Sequence, residues 1–460
     1  MGLKRMSKAK TVFICQSCGF QAPKWLGRCP DCQGWGTLVE EVLTEEAPLA
    51  DMRQRWATEE GPRVIGAVAE EEEGSRLCTR LEEFNRVLGG GIVAGSVVLL
   101  GGDPGIGKST LIFQCIHGLA AQGKRCLYIS AEESLRQTKL RAKRLGALSD
   151  GLFVAAETSL ERIIQGVEEI KPQVLVIDSI QSIYTSQLGS APGSISQVRE
   201  TSGRLTYLAK GLGVATFLVG HVTKDGAIAG PRVLEHIVDT VLYMERSADS
   251  PFRILRAVKN RFGSTNEIGV FEMKEGGLEE VINPSEIFLA ERPQGTSGSA
   301  VMASMEGTRP ILVEVQALVA PTAFAVPKRM AMGVDYNRLS LLVAVLEKKM
   351  GINLALQDIF VNVVGGLRIE EPAVDLGVVA AVASSHLDKI VPSAMAVFGE
   401  VGLAGEVRGV GFGEQRVKEA ARLGFKSCLL PRSTAQGIKP PKGMELMGVR
   451  DLREVWERLF

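Results

Sequence analysis

The chain has 460 residues, 53 basic and 53 acidic, with 45% hydrophobic and 23% charged content. That balance is typical of a soluble globular protein, long enough for about three domains of roughly 150 residues each. Zero net charge excludes a bulk-basic nucleic-acid coat, so any contact with DNA has to come from a local patch or from assembly. No run of about 18 apolar residues appears, and the N-terminus lacks an apolar signal core, so we expect a cytoplasmic protein with no membrane association.

Taken in chain order, the first element is "CQSCGFQAPKWLGRCPDCQGW", in which Cys15, Cys18, Cys29 and Cys32 form two CxxC pairs. Four thiolates on two tight knuckles make a closed tetrahedral site, for which Zn²⁺ in a structural role is expected. A pair of redox CxxC motifs is the alternative. We place this module at 11–36 and an acidic linker at 37–75, where Glu70 to Glu73 run together and no apolar periodicity is visible. From 76 the pattern becomes α/β. "SVVLLGG" (96–102) reads as a buried strand, 109–123 as a helix, 125–130 as a strand and 134–147 as a basic helix. Two further strands follow at 172–179 and 214–221. Strands alternating with helices imply βαβ units and a mostly parallel sheet.

The segment "GGDPGIGKST" joins the strand at 96–102 to the following helix and fits GxxxxGK[ST]. Gly102, Asp103, Pro104, Gly105, Ile106 and Gly107 are expected to curl backbone N–H groups around the phosphates of ATP, at a helix N-terminus that favours anions. Lys108 is expected to reach the β- and γ-phosphates. Ser109, with Thr110 beside it, is expected to hold Mg²⁺. "VLVIDS" ends a strand in Asp178, where the magnesium shell is expected. "YISAEES" ends another in Glu132 and Glu133, either of which can polarise the attacking water, with Glu132 preferred. His221, at the end of "ATFLVGH", is a candidate γ-phosphate sensor. Finally, "AVKNRFGSTNEIGVFEM" (257–273) reads as a β-hairpin with Lys259 and Arg261 near its bend.

Together the four-cysteine module, the phosphate loop, "VLVIDSIQSIY" and "KNRFG" (259–263) resemble the bacterial RadA/Sms family of DNA-repair and recombination ATPases, over essentially the whole chain. The resemblance implies an α/β RecA-like P-loop ATPase core at 76–285, preceded by a small zinc ribbon-like module and followed by an α/β Lon-protease-like domain at 286–460. It implies an ATP-driven motor on single-stranded and branched DNA, acting in branch migration beside a recombinase such as RecA. A hexameric ring is implied too, in which Lys259 and Arg261 reach the neighbour's nucleotide site. In such folds the loops at 184–200 and 222–235 face the ring centre. Rich in glycine and serine, they are expected to be mobile and to contact DNA through Arg199, Lys224 and Arg232.

Segments 370–385 and 397–425 resemble the Lon protease domain, which raises a rival reading as an ATP-dependent protease. Matching them to the Ser-Lys dyad puts Asp375 at the serine and Glu414 at the lysine, which disfavours proteolysis. The domain is then expected to be catalytically inactive, with Lys328, Arg329 and Arg338 offering a basic face. A KaiC-like signalling or protein-directed ATPase is a third reading that shares the core.

Overall fold

The structure, a computed structural model, describes residues 10–15, 20–43, 64, 66, 76–220, 234–246, 251–265, 267–324 and 326–460. Cys18, His221, Lys224 and Arg232 lie outside the described residues. The chain divides into two compact units, 1–245 with 251–281, and 246–250 with 282–460. The boundary expected at 285 therefore moves slightly earlier. The helix that opens at Pro284 belongs to the second unit, since the Leu312 N–H donates to the Ser285 hydroxyl at 3.1 Å.

The cysteine module is a three-stranded antiparallel sheet of β1 (Lys10–Cys15), β2 (Gln21–Ala22) and β3 (Leu38–Leu43), in the order β2-β1-β3. Because β3 pairs with β1 from Leu38 to Leu43, the module extends past 36, into what composition alone assigns to the linker. Its core is tiny: Cys15, Ala22, Cys29 and Leu38 are the fully buried members. So small a core needs a metal or another staple to hold its shape. Trp25 and Trp35 are both exposed rather than buried in it.

The rest of the first unit is a nine-stranded sheet among the described residues. The elements in chain order are α1 (Glu82–Val87), β4 (Val97–Gly102), α2 (Lys108–Ala120), β5 (Cys126–Ser130), α3 (Leu135–Arg144), β6 (Leu152–Ala156), α4 (Leu160–Ile170) and β7 (Val174–Asp178). They continue with α5 (Ile195–Leu212), β8 (Ala215–Val219), β9 (Thr240–Glu245), β10 (Phe252–Asn260), β11 (Ile268–Lys274) and β12 (Gly277–Glu280). The strand order is β12-β11-β10-β9-β4-β8-β7-β5-β6. From β9 to β6 the sheet is parallel; β10, β11 and β12 continue it antiparallel.

Both faces of the parallel part are covered, which explains why β4, β5 and β8 read as unbroken apolar runs. Val98 and Leu100 join Phe84, Phe113 and Tyr128 on one face, and Val97 and Leu99 join Ile163, Leu175 and Leu205 on the other. This is a RecA-like core, with the phosphate loop at the C-terminal end of a central parallel strand, where ligands bind in open α/β sheets.

The second unit holds a seven-stranded mixed sheet. Its elements are α6 (Pro284–Ala290), β13 (Ser299–Glu306), β14 (Arg309–Pro321), β15 (Arg329–Met332), α7 (Tyr336–Met350), β16 (Gln357–Val363), α8 (Asp375–Leu387), β17 (Met395–Val397), β18 (Glu400–Val401) and β19 (Val407–Arg408). Next come α9 (Gly413–Arg422), β20 (Ser427–Pro431), α10 (Arg432–Gln436), β21 (Glu445–Val449) and α11 (Leu452–Leu459).

Asp375 opens α8 fully buried; Arg338 grips both of its carboxylate oxygens, and the Val401 N–H donates to it at 2.9 Å. Arg338 is therefore committed to an internal ion pair rather than to a free basic face. Lys328 sits 4.1 Å from the centre of the Phe324 ring. Glu414 does not face Asp375 as the sequence match required. It is exposed on α9 and pairs with Lys418 at 2.7 Å, one helical turn on. The buried cation of that helix is Arg416, bound to Glu371 and to the Ala303 carbonyl.

Candidate active site

The phosphate loop leaves β4 at Gly102 and enters α2 at Lys108. Gly102, Gly105 and Gly107 all have left-handed φ, at 143°, 72° and 117°. At Gly102 a Cβ would also lie 2.5 Å from the Met244 carbonyl oxygen, and at Gly107 one would lie 2.7 Å from the Met273 Cε. At Gly102 the fixed backbone oxygen excludes a side chain, whereas at Gly107 the methionine tip can move and the left-handed φ is what favours glycine. The loop thus rests on β9 and β11, which carry no motif that assigns them to the site.

Lys108 is buried, and its ammonium donates to the Gly102 carbonyl at 2.7 Å and the Asp103 carbonyl at 2.9 Å. Burial lowers its pKa, while the nearby carboxylates of Asp178, Asp103 and Glu132 act in the opposite direction. A partly desolvated ammonium at the head of a helix, among backbone amides, has the chemistry to receive a phosphate group.

Asp178 closes β7 and lies beside β5, with Ser130 opposite it in register. The Tyr128 hydroxyl donates to Asp178 Oδ2, and burial together with that carboxylate pushes the Tyr128 pKa far above its usual range. Arg141 Nη1 donates to the same hydroxyl at 3.2 Å and lies 3.9 Å from Asp178. Arg141 also pairs with Glu133. The two adjacent glutamates therefore diverge. Glu133 is held by Arg141 on α3, whereas Glu132 accepts a hydrogen bond from the hydroxyl of Ser179, the residue after Asp178. Lys108, Asp178 and Glu132 converge at the C-terminal edge of the parallel sheet, with Ser109 and Thr110 on the first turn of α2. A Ser109 hydroxyl and an Asp178 carboxylate form a hard-oxygen donor set suited to Mg²⁺.

Tyr128 opens the segment YISAEES and Arg141 lies in the basic helix, but the spacing of neither assigned it a role at the site. Arg141 is the cation of the basic helix that shares its inward face with Thr138 and Ala142, so helical periodicity carried a signal for it.

The KNRFG residues sit at the opposite end of the sheet. Lys259 is the last residue but one of β10, next to the bend, and its ammonium donates to the Glu235 and Val238 carbonyls at 2.5 and 2.8 Å. Burial and the nearby Arg261 lower its pKa, against the pull of Asp239 and Glu235. Arg261, half-exposed, pairs at 3.3 Å with the buried Asp239, which Lys210 also contacts and which accepts from the Val97 N–H at 3.1 Å. Val97 is the first residue of β4 and Gly102 its last. Five residues of strand, about 17 Å, separate the Arg261 partner from the phosphate loop of the same chain. Phe262 and Gly263 dock by backbone: the Phe262 carbonyl accepts from Arg76, and a Cβ on Gly263 would lie 2.8 Å from the Gly89 Cα.

The loop after β7 is held by a buried side chain. The Gln197 side chain accepts from the Thr185 N–H at 2.9 Å and donates to the Thr185, Leu188 and Ser190 carbonyls. The segment from Ile195 onward is helix, with Arg199 exposed on it.

In the cysteine module the sulfurs of Cys15, Cys29 and Cys32 lie within 4.8 Å of one another, and those of Cys15 and Cys32 are 3.6 Å apart. Tetrahedral thiolates at about 2.3 Å from Zn²⁺ are about 3.8 Å apart, so these three fit that ion.

Two protein families match the chain: one described as an AAA domain over residues 68–227, and one described as a rubredoxin metal binding domain over residues 13–40. Among curated proteins, the DNA repair protein RadA of Bacillus subtilis is 55% identical over 98% of this chain and 98% of its own length. The DNA repair proteins RadA of Halalkalibacterium halodurans and Listeria monocytogenes are 54% and 52% identical, each over 98% of this chain and 99% of its own length.

Proposed function

The chain belongs to the RadA DNA-repair family, and on that premise we propose that it is an ATP-driven motor that moves on single-stranded DNA at branched recombination intermediates. The observation that carries this reading is the separation of the site into two halves. The phosphate loop, Lys108, Asp178 and Glu132 lie at one end of the sheet; Lys259 and Arg261 lie at the other, out of reach of their own loop. Cations so positioned cannot serve their own nucleotide, and of the roles left to them, bracing the hairpin, a DNA phosphate or a neighbour's nucleotide, the last accords with a closed ring, taken here as hexameric.

In this reading Lys108 and the loop amides bind the phosphates of ATP, Ser109 and Asp178 hold Mg²⁺, and Glu132 orients the attacking water. The metal, when bound, neutralises charge on the β- and γ-oxygens. Lys259 and Arg261 approach from the adjacent subunit and stabilise charge developing on the γ-phosphoryl group. Arg199 and the loops at 184–200 and 222–235 contact the DNA strand. The four-cysteine module, holding Zn²⁺, and the second unit support DNA or partner contacts, including a RecA-type recombinase. No helix among the described residues is long and apolar enough to cross a membrane. The protease reading loses its dyad, because Asp375 is sealed against Arg338 and Glu414 faces solvent.

The test is ATP hydrolysis by the whole protein with and without single-stranded DNA, beside Lys259→Ala and Arg261→Ala. DNA-stimulated turnover that falls by on the order of 10³-fold in both variants, with nucleotide affinity retained, is expected. Hydrolysis indifferent to DNA moves the assignment to a protein-directed ATPase, and full turnover in Arg261→Ala removes the trans role.

A further inference from the structure

The phosphate loop touches one buried guanidinium that no motif assigns. Arg253, on β10, is 7% exposed. Its Nε donates to the Ile106 carbonyl at 3.1 Å, and its Nη1 donates to the Pro251 and Phe252 carbonyls at 3.1 and 3.0 Å. Ile106 is the residue before Gly107, so its carbonyl belongs to the peptide group that carries the Gly107 N–H. In a planar trans peptide, C=O and N–H point in opposite directions. A guanidinium that draws the Ile106 oxygen toward β10 therefore turns the Gly107 N–H away from β10. The bond also polarises that peptide, making its N–H a stronger donor.

The peptide needs such a restraint. Gly105 and Gly107 on either side of Ile106 both have left-handed φ, and glycine rotates at little cost. A flipped peptide would present a carbonyl oxygen, and thus negative charge, to an incoming phosphate. Ile106 itself is anchored by burial of its side chain, so the backbone between it and Gly107 is the part left to control.

We propose that Arg253 is a positioning residue for nucleotide binding: it locks the Ile106–Gly107 peptide so that the Gly107 N–H faces the β-phosphate of a bound nucleotide. This rests on the nucleotide-binding reading of the loop and deepens it. Strand alternation held a clue to the residue, since Arg253 shares its face of β10 with the buried Leu255 and Ala257, an unusual setting for an arginine.

The test is calorimetric titration of the full chain with MgADP, with melting midpoints taken without nucleotide. Arg253→Met is expected to lose about tenfold or more in affinity, the worth of one charge-assisted hydrogen bond. Arg253→Lys, which still donates to a carbonyl, is expected to recover most of it. A lower midpoint with unchanged affinity of the folded protein assigns Arg253 to packing alone and overturns the proposal. Should Arg253→Met not fold, Arg253→Lys and Arg253→Gln decide: a graded loss, larger for the neutral donor, supports the lock, and affinities equal to wild type overturn it. A wild-type chain that does not bind MgADP overturns the nucleotide reading itself, whatever the variants do.

Discussion

Gly102 illustrates how tightly single residues constrain the site. Its φ of 143°, and the 2.5 Å that would separate an added Cβ from the Met244 carbonyl oxygen, leave no room for a side chain. Gly102→Ala is expected to cost about 2 kcal/mol or more in unfolding free energy and to abolish stabilisation by MgADP, read from melting with and without nucleotide. Cysteine chemistry separates as cleanly. Burial pushes the thiols of Cys126 and Cys428 up to about 12 and raises that of Cys115 well above its ordinary value, so none supplies thiolate near neutrality. Cys78 is exposed. Alkylation of the native protein followed by peptide mapping is expected to label Cys78 alone while metal is bound, and to add Cys15, Cys18, Cys29 and Cys32 after chelation. Labelling of those four without a chelator would argue against a metal centre. The phosphate-loop glycines were legible because their spacing is itself the chemistry. The roles of Tyr128 and Arg253 were not, because each acts through a partner distant in sequence, 50 and 147 residues away.

At the scale of elements, β10 shows how one strand serves two ends of the sheet. Arg253 meets the phosphate loop at its start, and Lys259 is tied to the Glu235 and Val238 carbonyls near its finish. The hairpin at 257–273 was readable from alternation and a glycine turn. That Lys259 lies in the strand, and that Arg261 is braced by the buried Asp239, depended on pairing with β9, which sequence alone does not show. In the second unit, α8 and α9 carry acids of opposite fate. Asp375→Ala removes the buried acceptor of Arg338 and of the Val401 N–H and is expected to cost about 1–3 kcal/mol. Glu414→Ala breaks one exposed turn-to-turn pair and is expected to change stability by less than about 0.5 kcal/mol. Denaturant melts of the two variants check this contrast, and equal costs would contradict the burial difference.

For the whole molecule, the proposed trans role of Lys259 and Arg261 predicts an enzyme whose activity depends on assembly. Two inactive variants should then complement one another. In mixed rings, a Lys108→Ala subunit lends Arg261 to the intact phosphate loop of an Arg261→Ala subunit. About a quarter of interfaces then hold both halves of a site. Turnover that rises when the two purified variants are co-assembled, and that neither shows alone, is the expected outcome. Its absence in verified mixed assemblies would overturn the trans role of Arg261.

Local chemistry was decided by sequence. A phosphate loop between a strand and a helix, paired CxxC knuckles and a strand ending in aspartate each need particular residues at short, fixed spacing, and short spacing survives in any fold. What only the tertiary structure decided was direction and company. It turned Glu133 toward Arg141 and Glu132 toward Ser179, buried Asp375 against Arg338, and left Glu414 in solvent. It also set Met244, Met273 and Arg253 beneath the phosphate loop. The physical reason is the same in each case. A side chain's protonation, reach and partner depend on the low-dielectric surroundings that distant segments build around it, and those surroundings exist only once the sheet has formed.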